Sequence, residues 1–145
     1  MIYLNPVSPD NWRLDLQVSE DQTKYVGNTA SILARAYAYR EMRSKAFVIY
    51  DDSTPIGMAM YYDVDEMKAY YFSHFFIDKR YQRKGFGEKA SLQIIEKMKE
   101  DGKYNKIILC YVEGDEPAKR LYEKLGFIHT GEVDEDEVGM EMMIR

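Results

Sequence analysis

A run of aromatic residues that breaks into two glycines constrains this chain more than any other stretch. Tyr70, Tyr71, Phe72, Phe75 and Phe76 make residues 70 to 77 strongly β-favouring. A polar hinge, Asp78 to Tyr81, follows, and Gln82-Arg83-Lys84-Gly85-Phe86-Gly87 then opens into a helical pattern. Strand, glycine-bearing turn and helix start, in that order, leave free backbone N–H groups at the turn, and the helix dipole adds partial positive charge there. Gly85 and Gly87 permit the bend and the close approach of a ligand. Arg83 and Lys84 add mobile positive charge, so phosphate or pyrophosphate is the natural guest. The stretch lacks both GxxxxGK with its following Ser or Thr and GxGxxG, so it is neither of the common nucleotide loops. Taken alone, it reads equally as a strand-to-helix turn whose glycines serve geometry only.

Periodicity and turn chemistry set the other elements. Ile2 to Val7 alternates as a short strand. Ser8-Pro9-Asp10 reads as a helix start, a capping hydroxyl followed by proline at the first helical position, with Trp12 and Leu16 one turn apart on its apolar face. Asn28 or Thr29 caps a second helix carrying Ile32, Leu33, Ala36 and Tyr37 on one face. Ala46 to Tyr50 and Ile56 to Val64 form a hairpin about a turn at Asp51 to Pro55. After the aromatic strand comes a helix with Ala90, Ile94 and Met98 every four residues, stopped by Gly102. Lys106 to Val112, rich in Ile, Leu and Val, is a central strand. Asp115 caps a last helix with the stripe Ala118, Leu121, Tyr122 and Leu125, ended by Gly126. Phe127 to Val133 and Val138 to Ile144 are the final strands. The predicted architecture is α/β, a mixed sheet of about seven strands flanked by four helices, in the order β-α-α-β-β-β-α-β-α-β-β. The 145 residues make one domain, 1–145.

Charge narrows the partners. The formal net charge of -5 disfavours nucleic acid, and the local basic cluster of Lys79, Arg80, Arg83 and Lys84 suits a small phosphate ligand better than a duplex. No apolar run approaches a membrane span and no signal peptide is evident, so the expected location is cytoplasmic. The single cysteine, Cys110, lies in an apolar run and is expected to be buried in its strand. No His/Cys cluster has metal-ligand spacing, so no metal is implied.

Two motifs together carry a resemblance. Gln82-x-x-Gly85-x-Gly87 after the fourth strand, and Ala118-x-x-Leu121-Tyr122-x-x-x-Gly126-Phe127 near the C-terminus, resemble the two signatures of the GNAT N-acetyltransferase superfamily. The likeness covers essentially the whole chain. Within the superfamily, His74-Phe75-Phe76-Ile77-Asp78 is most similar to bacterial spermine/spermidine and related diamine acetyltransferases.

The resemblance implies bound acetyl-coenzyme A and direct attack by an amine on its thioester. The pyrophosphate is then expected on the amides of Arg83, Lys84, Gly85, Phe86, Gly87 and Glu88, and the pantetheine arm along Phe76 and Ile77. Gln82, Asp115 and Lys119 complete the expected cofactor contacts. Arg83 stands where glycine is frequent in the family, and Asp115 where asparagine is common. Tyr122 matches the family's catalytic tyrosine and is the expected acid for the leaving thiolate; by periodicity alone it is a core tyrosine. Related polyamine enzymes carry an acidic residue near Ser73, and serine cannot serve alone. The base is therefore His74, turned by a β-bulge, or water relayed from Glu41 or Glu113; His74 reads equally as a structural strand histidine.

A polyamine needs carboxylates and aromatic faces. Glu20 and Glu41 are the expected carboxylates, and Trp12 and Tyr37 the expected walls. The competing readings are another acceptor (an amino acid, an aminoglycoside or a protein N-terminus), a non-catalytic coenzyme A-binding module, and a phosphate-binding structural domain. Thirteen tyrosines and nine methionines would suit a homodimer interface, with the hairpin of Glu132 to Ile144 the place to look.

Overall fold

The strands do order themselves around the aromatic run. The computed structural model describes residues 1–18 and 28–145. Its sheet has seven strands: β1 (Ile2–Pro6), β2 (Lys45–Asp51), β3 (Thr54–Val64), β4 (Ala69–Ile77), β5 (Lys106–Val112), β6 (Ile128–Asp134) and β7 (Glu137–Met143). Their spatial order is β1-β2-β3-β4-β5-β7-β6, an open sheet with β1 and β6 at its edges. Every neighbouring pair is antiparallel except β4–β5. A parallel pair needs a crossover, and α2 (Phe86–Asp101) supplies it.

Helices cover both faces, so the central strands read as nearly continuous apolar runs. On one face α2 buries Ala90, Ile94, Ile95 and Met98 against Tyr70, Phe72, Ile107 and Leu109. Tyr122 of α3 (Glu116–Leu125) joins that cluster. On the other face α1 (Thr29–Ala38) buries Ile32 against Met58, Met60, Tyr62 and Phe76. The caps are local: Asn28 Oδ1 accepts from Ser31 N–H (2.7 Å), and Asp115 Oδ1 from Ala118 N–H (3.3 Å).

The helix count corrects the sequence reading. Among the described residues there are three α-helices, not four; the helix expected from Ser8 is absent. Its capping signals are real but close a single turn. Ser8 Oγ accepts from Asp10 N–H (3.2 Å), while Asn11 Oδ1 accepts from Ser8 N–H (2.8 Å) and its Nδ2 donates to the Pro6 carbonyl (3.1 Å). Asn11 thus takes the groups a continuing helix would have used. The chain then runs without helix or strand through residue 18. Leu16 packs into the cluster beneath α1, whereas Trp12 stays exposed. Cys110 is the second correction: it is exposed, on a stretch of β5 expected to be covered on both faces. Among the described residues, no helix is long and apolar enough to cross a membrane.

Candidate active site

The parallel pair β4–β5 is short. Its register covers only Tyr70 opposite Ile107 and Tyr71 opposite Ile108. Beyond Tyr71 the strands part, and a cavity of about 600 Å³ opens beside the C-terminal end of β4. Phe75, Phe76 and Ile77 form its wall on β4; Pro117, Ala118, Leu121 and Tyr122 face them from α3. Lys79, Tyr81, Gln82, Arg83, Gly85, Phe86 and Gly87 form the floor, and Val18 and Asp115 complete the lining.

The floor is the glycine turn. Residues Lys79–Tyr81 make one 3₁₀ turn, started by Asp78. Arg83 (φ 64°) and Gly85 (φ 79°) then take the left-handed conformation, and α2 begins at Phe86. Glycine at the N-cap offers no side-chain acceptor to the first-turn amides, which is the arrangement an anion needs. A Cβ on Gly87 would sit between Phe75, Leu121 and Ile77, at 3.7–3.9 Å from each. Van der Waals space therefore tolerates it. Gln82 Nε2 donates to the Ile77 carbonyl (2.9 Å), which braces the turn against the end of the strand.

Tyr122 is buried with its ring edge-on to Phe72 (6.3 Å) and Phe127 (5.9 Å). Burial, with the nearby Asp115 charge, raises the pKa of its phenol above the ordinary value. It therefore keeps its proton at neutral pH and can only give it up to a group that gains charge beside it.

His74 follows a bulge. Met60 pairs with His74 and Tyr61 with Phe72, so Ser73 is the extra residue, and Phe72 and Phe75 fall on the same face though three apart. His74 Nδ1 lies 3.1 Å from Ser73 Oγ. Burial first, and the Arg35 charge second, push its pKa down to about 4, so the ring is neutral at pH 7.

Of the expected cofactor residues, Phe76, Ile77, Gln82, Arg83, Gly85, Phe86, Gly87 and Asp115 line the cavity. Lys84, Glu88 and Lys119 are not in the lining; Glu88 instead pairs with Lys124 (2.9 Å). His74 is not in the lining either. The expected amine-binding set is not gathered there: Trp12, Tyr37 and Glu41 are exposed elsewhere. One face of Trp12 already holds the Arg13 guanidinium (4.8 Å), and one face of Tyr37 that of Arg40 (4.2 Å). Glu20 lies outside the described residues. Sequence reasoning did not assign Val18, Phe75, Tyr81, Pro117, Ala118 or Leu121 to the lining, and named Lys79 only as part of a basic cluster. Phe75 and Tyr81 stood inside the motif stretch and were legible; Val18 carried no local signal.

Residues 11–127 match the Acetyltransferase (GNAT) family. The spermine/spermidine N(1)-acetyltransferase of Bacillus subtilis (strain 168) is 35% identical over 141 residues, spanning 92% of this chain and 91% of the relative. Among solved structures, a spermidine N-acetyltransferase from Vibrio cholerae in complex with CoA and spermine superposes with a TM-score of 0.79. It shares 17% identity and covers 98% of this chain and 95% of its own. An aminoglycoside acetyltransferase in complex with coenzyme A superposes with a TM-score of 0.81 at 16% identity, covering 99% and 95%. At such identities the two structures establish the fold.

Proposed function

The chain belongs to the GNAT acetyltransferase family, and within it we propose that it moves an acetyl group from acetyl-coenzyme A to a primary amine of a polyamine such as spermine or spermidine. It is an acetyl-CoA-dependent acyltransferase. One observation carries the choice of acceptor: 35% identity, across nine-tenths of both chains, to a spermine/spermidine N(1)-acetyltransferase. Fold alone does not choose, since an aminoglycoside acetyltransferase superposes as well as a spermidine enzyme.

The residues present fit the cofactor. The parted β4 edge, the uncapped first turn of α2 and the cavity of about 600 Å³ between them and α3 are what a long thioester with a diphosphate requires. Bound there, it supplies an activated acetyl group. The free amides of the turn and of the first turn of α2 would hold the diphosphate, and Arg83 and Lys79 on the floor would offset its charge. The backbone of Phe76 and Ile77 would orient the arm against the apolar side chains of Pro117, Leu121 and Val18. Tyr122 holds its proton until thiolate charge develops beside it, and then donates it. His74 is neutral at pH 7 but lies outside the lining, so it would take the amine's proton only through water.

An acetyl-CoA-dependent enzyme works where that thioester is made, so we take the cytoplasm as its compartment. We take its partner surface to be a second copy docked on the β6–β7 hairpin, where Ile128 (63%), Val133 (59%) and Met143 (62%) are exposed.

The test is thiol release from acetyl-coenzyme A, scanned against spermine, spermidine, putrescine and common amino acids. Saturable release with the polyamines and none with amino acids is the expected result. Release with amino acids alone would overturn the acceptor, and release with no amine would overturn the transfer.

A further inference from the structure

Between the aromatic strand and the glycine turn stands Asp78, 1% exposed. Burial opposes its charge, but hydrogen bonds from Arg80 and from two amides outweigh burial and hold its pKa below the ordinary carboxylate value. Oδ1 accepts from Arg80 N–H (2.9 Å) and Arg80 Nε (2.8 Å). Oδ2 accepts from Arg80 Nη2 (3.2 Å) and from Gln17 N–H (2.8 Å). The Asp78 amide itself donates to the Ile56 carbonyl (2.7 Å), which fixes the carboxylate to β3.

Gln17 is held a second time. Its carbonyl accepts from Lys79 N–H (2.7 Å). Both backbone groups of one residue are therefore bound to two consecutive residues of the hinge. Arg80 Nη2 also reaches the Asp15 carbonyl (3.4 Å). The next residue, Val18, is one wall of the cavity, while Lys79 and Tyr81, on either side of Arg80, belong to its floor. A single carboxylate thus joins a wall and a floor that are far apart in sequence.

Resting on the acyltransferase reading above, we propose that Asp78 is a positioning residue: it locks the Val18 wall to the anion-binding turn, so that filling the turn orders the wall. The chain 13–18 makes neither helix nor strand, and Leu16 is its buried anchor. Without the Asp78 link, the described part of this segment keeps the Lys79 N–H bond to the Gln17 carbonyl, the long Arg80–Asp15 contact and the packing of Leu14, Leu16 and Val18, and ligand binding at the turn reaches Val18 less directly.

Two variants remove the link from opposite sides. Asp78→Asn keeps the shape and loses the charge. Gln17→Pro deletes one N–H donor on a segment that is neither helix nor strand. Coenzyme A binding is measured by calorimetry, hydrogen exchange of residues 13–18 with and without coenzyme A by mass spectrometry, and kcat and KM with spermidine. In the parent protein, coenzyme A slows exchange across residues 13–18. In both variants that slowing is lost, Kd for coenzyme A rises about tenfold, and kcat at saturation stays within about threefold. A variant that loses melting temperature but keeps the parent Kd and exchange response overturns the inference. Should Asp78→Asn fail to fold, Gln17→Pro decides alone. Failure of the parent protein to bind coenzyme A would instead sink the acyltransferase reading.

Discussion

Arg43 and Asp101, 58 residues apart in sequence, meet in a two-pronged ion pair with both contacts at 2.9 Å. The same guanidinium reaches Asp63, which is 4% exposed, at 2.6 Å, and Lys103 reaches Asp63 at 3.0 Å. Tyr70 donates to Asp101 at 2.6 Å. This cluster ties the turn after α1, strand β3, the start of β4 and the end of α2 together, at the end of β4 away from the cavity. Arg43→Met leaves Asp63 buried with one cation instead of two. Urea unfolding should show a loss of about 2–3 kcal/mol, and no loss would mean that the pair is ornamental to stability.

Acid should attack the same cluster. Hydrogen bonds from Arg43 hold the Asp101 carboxyl well below the usual carboxylate range. A depressed folded pKa contributes stability that is present above the unfolded value, near pH 4, and is lost as pH falls through the folded one. Asp101→Asn should therefore flatten the acid limb of a stability-against-pH curve below about pH 4. An unchanged limb would exclude Asp101 from acid unfolding.

His74 acts in a higher window. Its folded pKa, about 4, lies below the value of 6.5 expected for a free ring. Between those values the unfolded chain binds the extra proton, so stability rises with pH across the window and is fully present above it. His74→Gln should remove that slope, which amounts to about 3 kcal/mol at most. If His74 also takes the amine's proton, His74→Ala removes a limb of the pH–rate profile near pH 4. A profile identical to the parent's excludes it.

Tyr122→Phe keeps the ring against Phe72 and Phe127 and deletes only the hydroxyl. Turnover should fall by about a hundredfold or more, while the Kd for coenzyme A changes little. Equal turnover refutes the acid assignment.

Arg83 sits at φ 64°, where a side chain costs about 1 kcal/mol. Arg83→Gly should gain about 0.5–1 kcal/mol of stability from relaxed strain. The same change should weaken coenzyme A binding several-fold through the lost charge. Tighter binding would show that the guanidinium does not face the diphosphate.

The aromatic strand, its turn and the helix beyond were legible because each signal is local. Tyr70 to Ile77 favours a strand, and Gly85 and Gly102 bound a helix within one stretch of sequence. The Ser8 helix was misread for the same reason: a cap and a proline specify a first turn, and only Asn11 folding back on Ser8 and Pro6 decides that no second turn follows. Cys110 was misread because a β-branched, apolar run does not say which of its faces a helix will cover. Val18 was beyond reach, since its place is set by a backbone bond from Gln17 to a carboxylate 61 residues away.

The two-pair contact between β4 and β5 divides the chain in a simple way. Strands β1 to β4 with α1 and α2 come from the first part of the sequence, and β5 to β7 with α3 from the last. Each part is a contiguous leaf with its own hydrogen-bonded ladder, and side chains of the shared cluster are the main bond between them. A small rotation of one leaf against the other would change the width of the mouth while leaving both ladders intact. The spacing of that mouth is thus set by side-chain packing across the seam rather than by a long ladder of backbone hydrogen bonds.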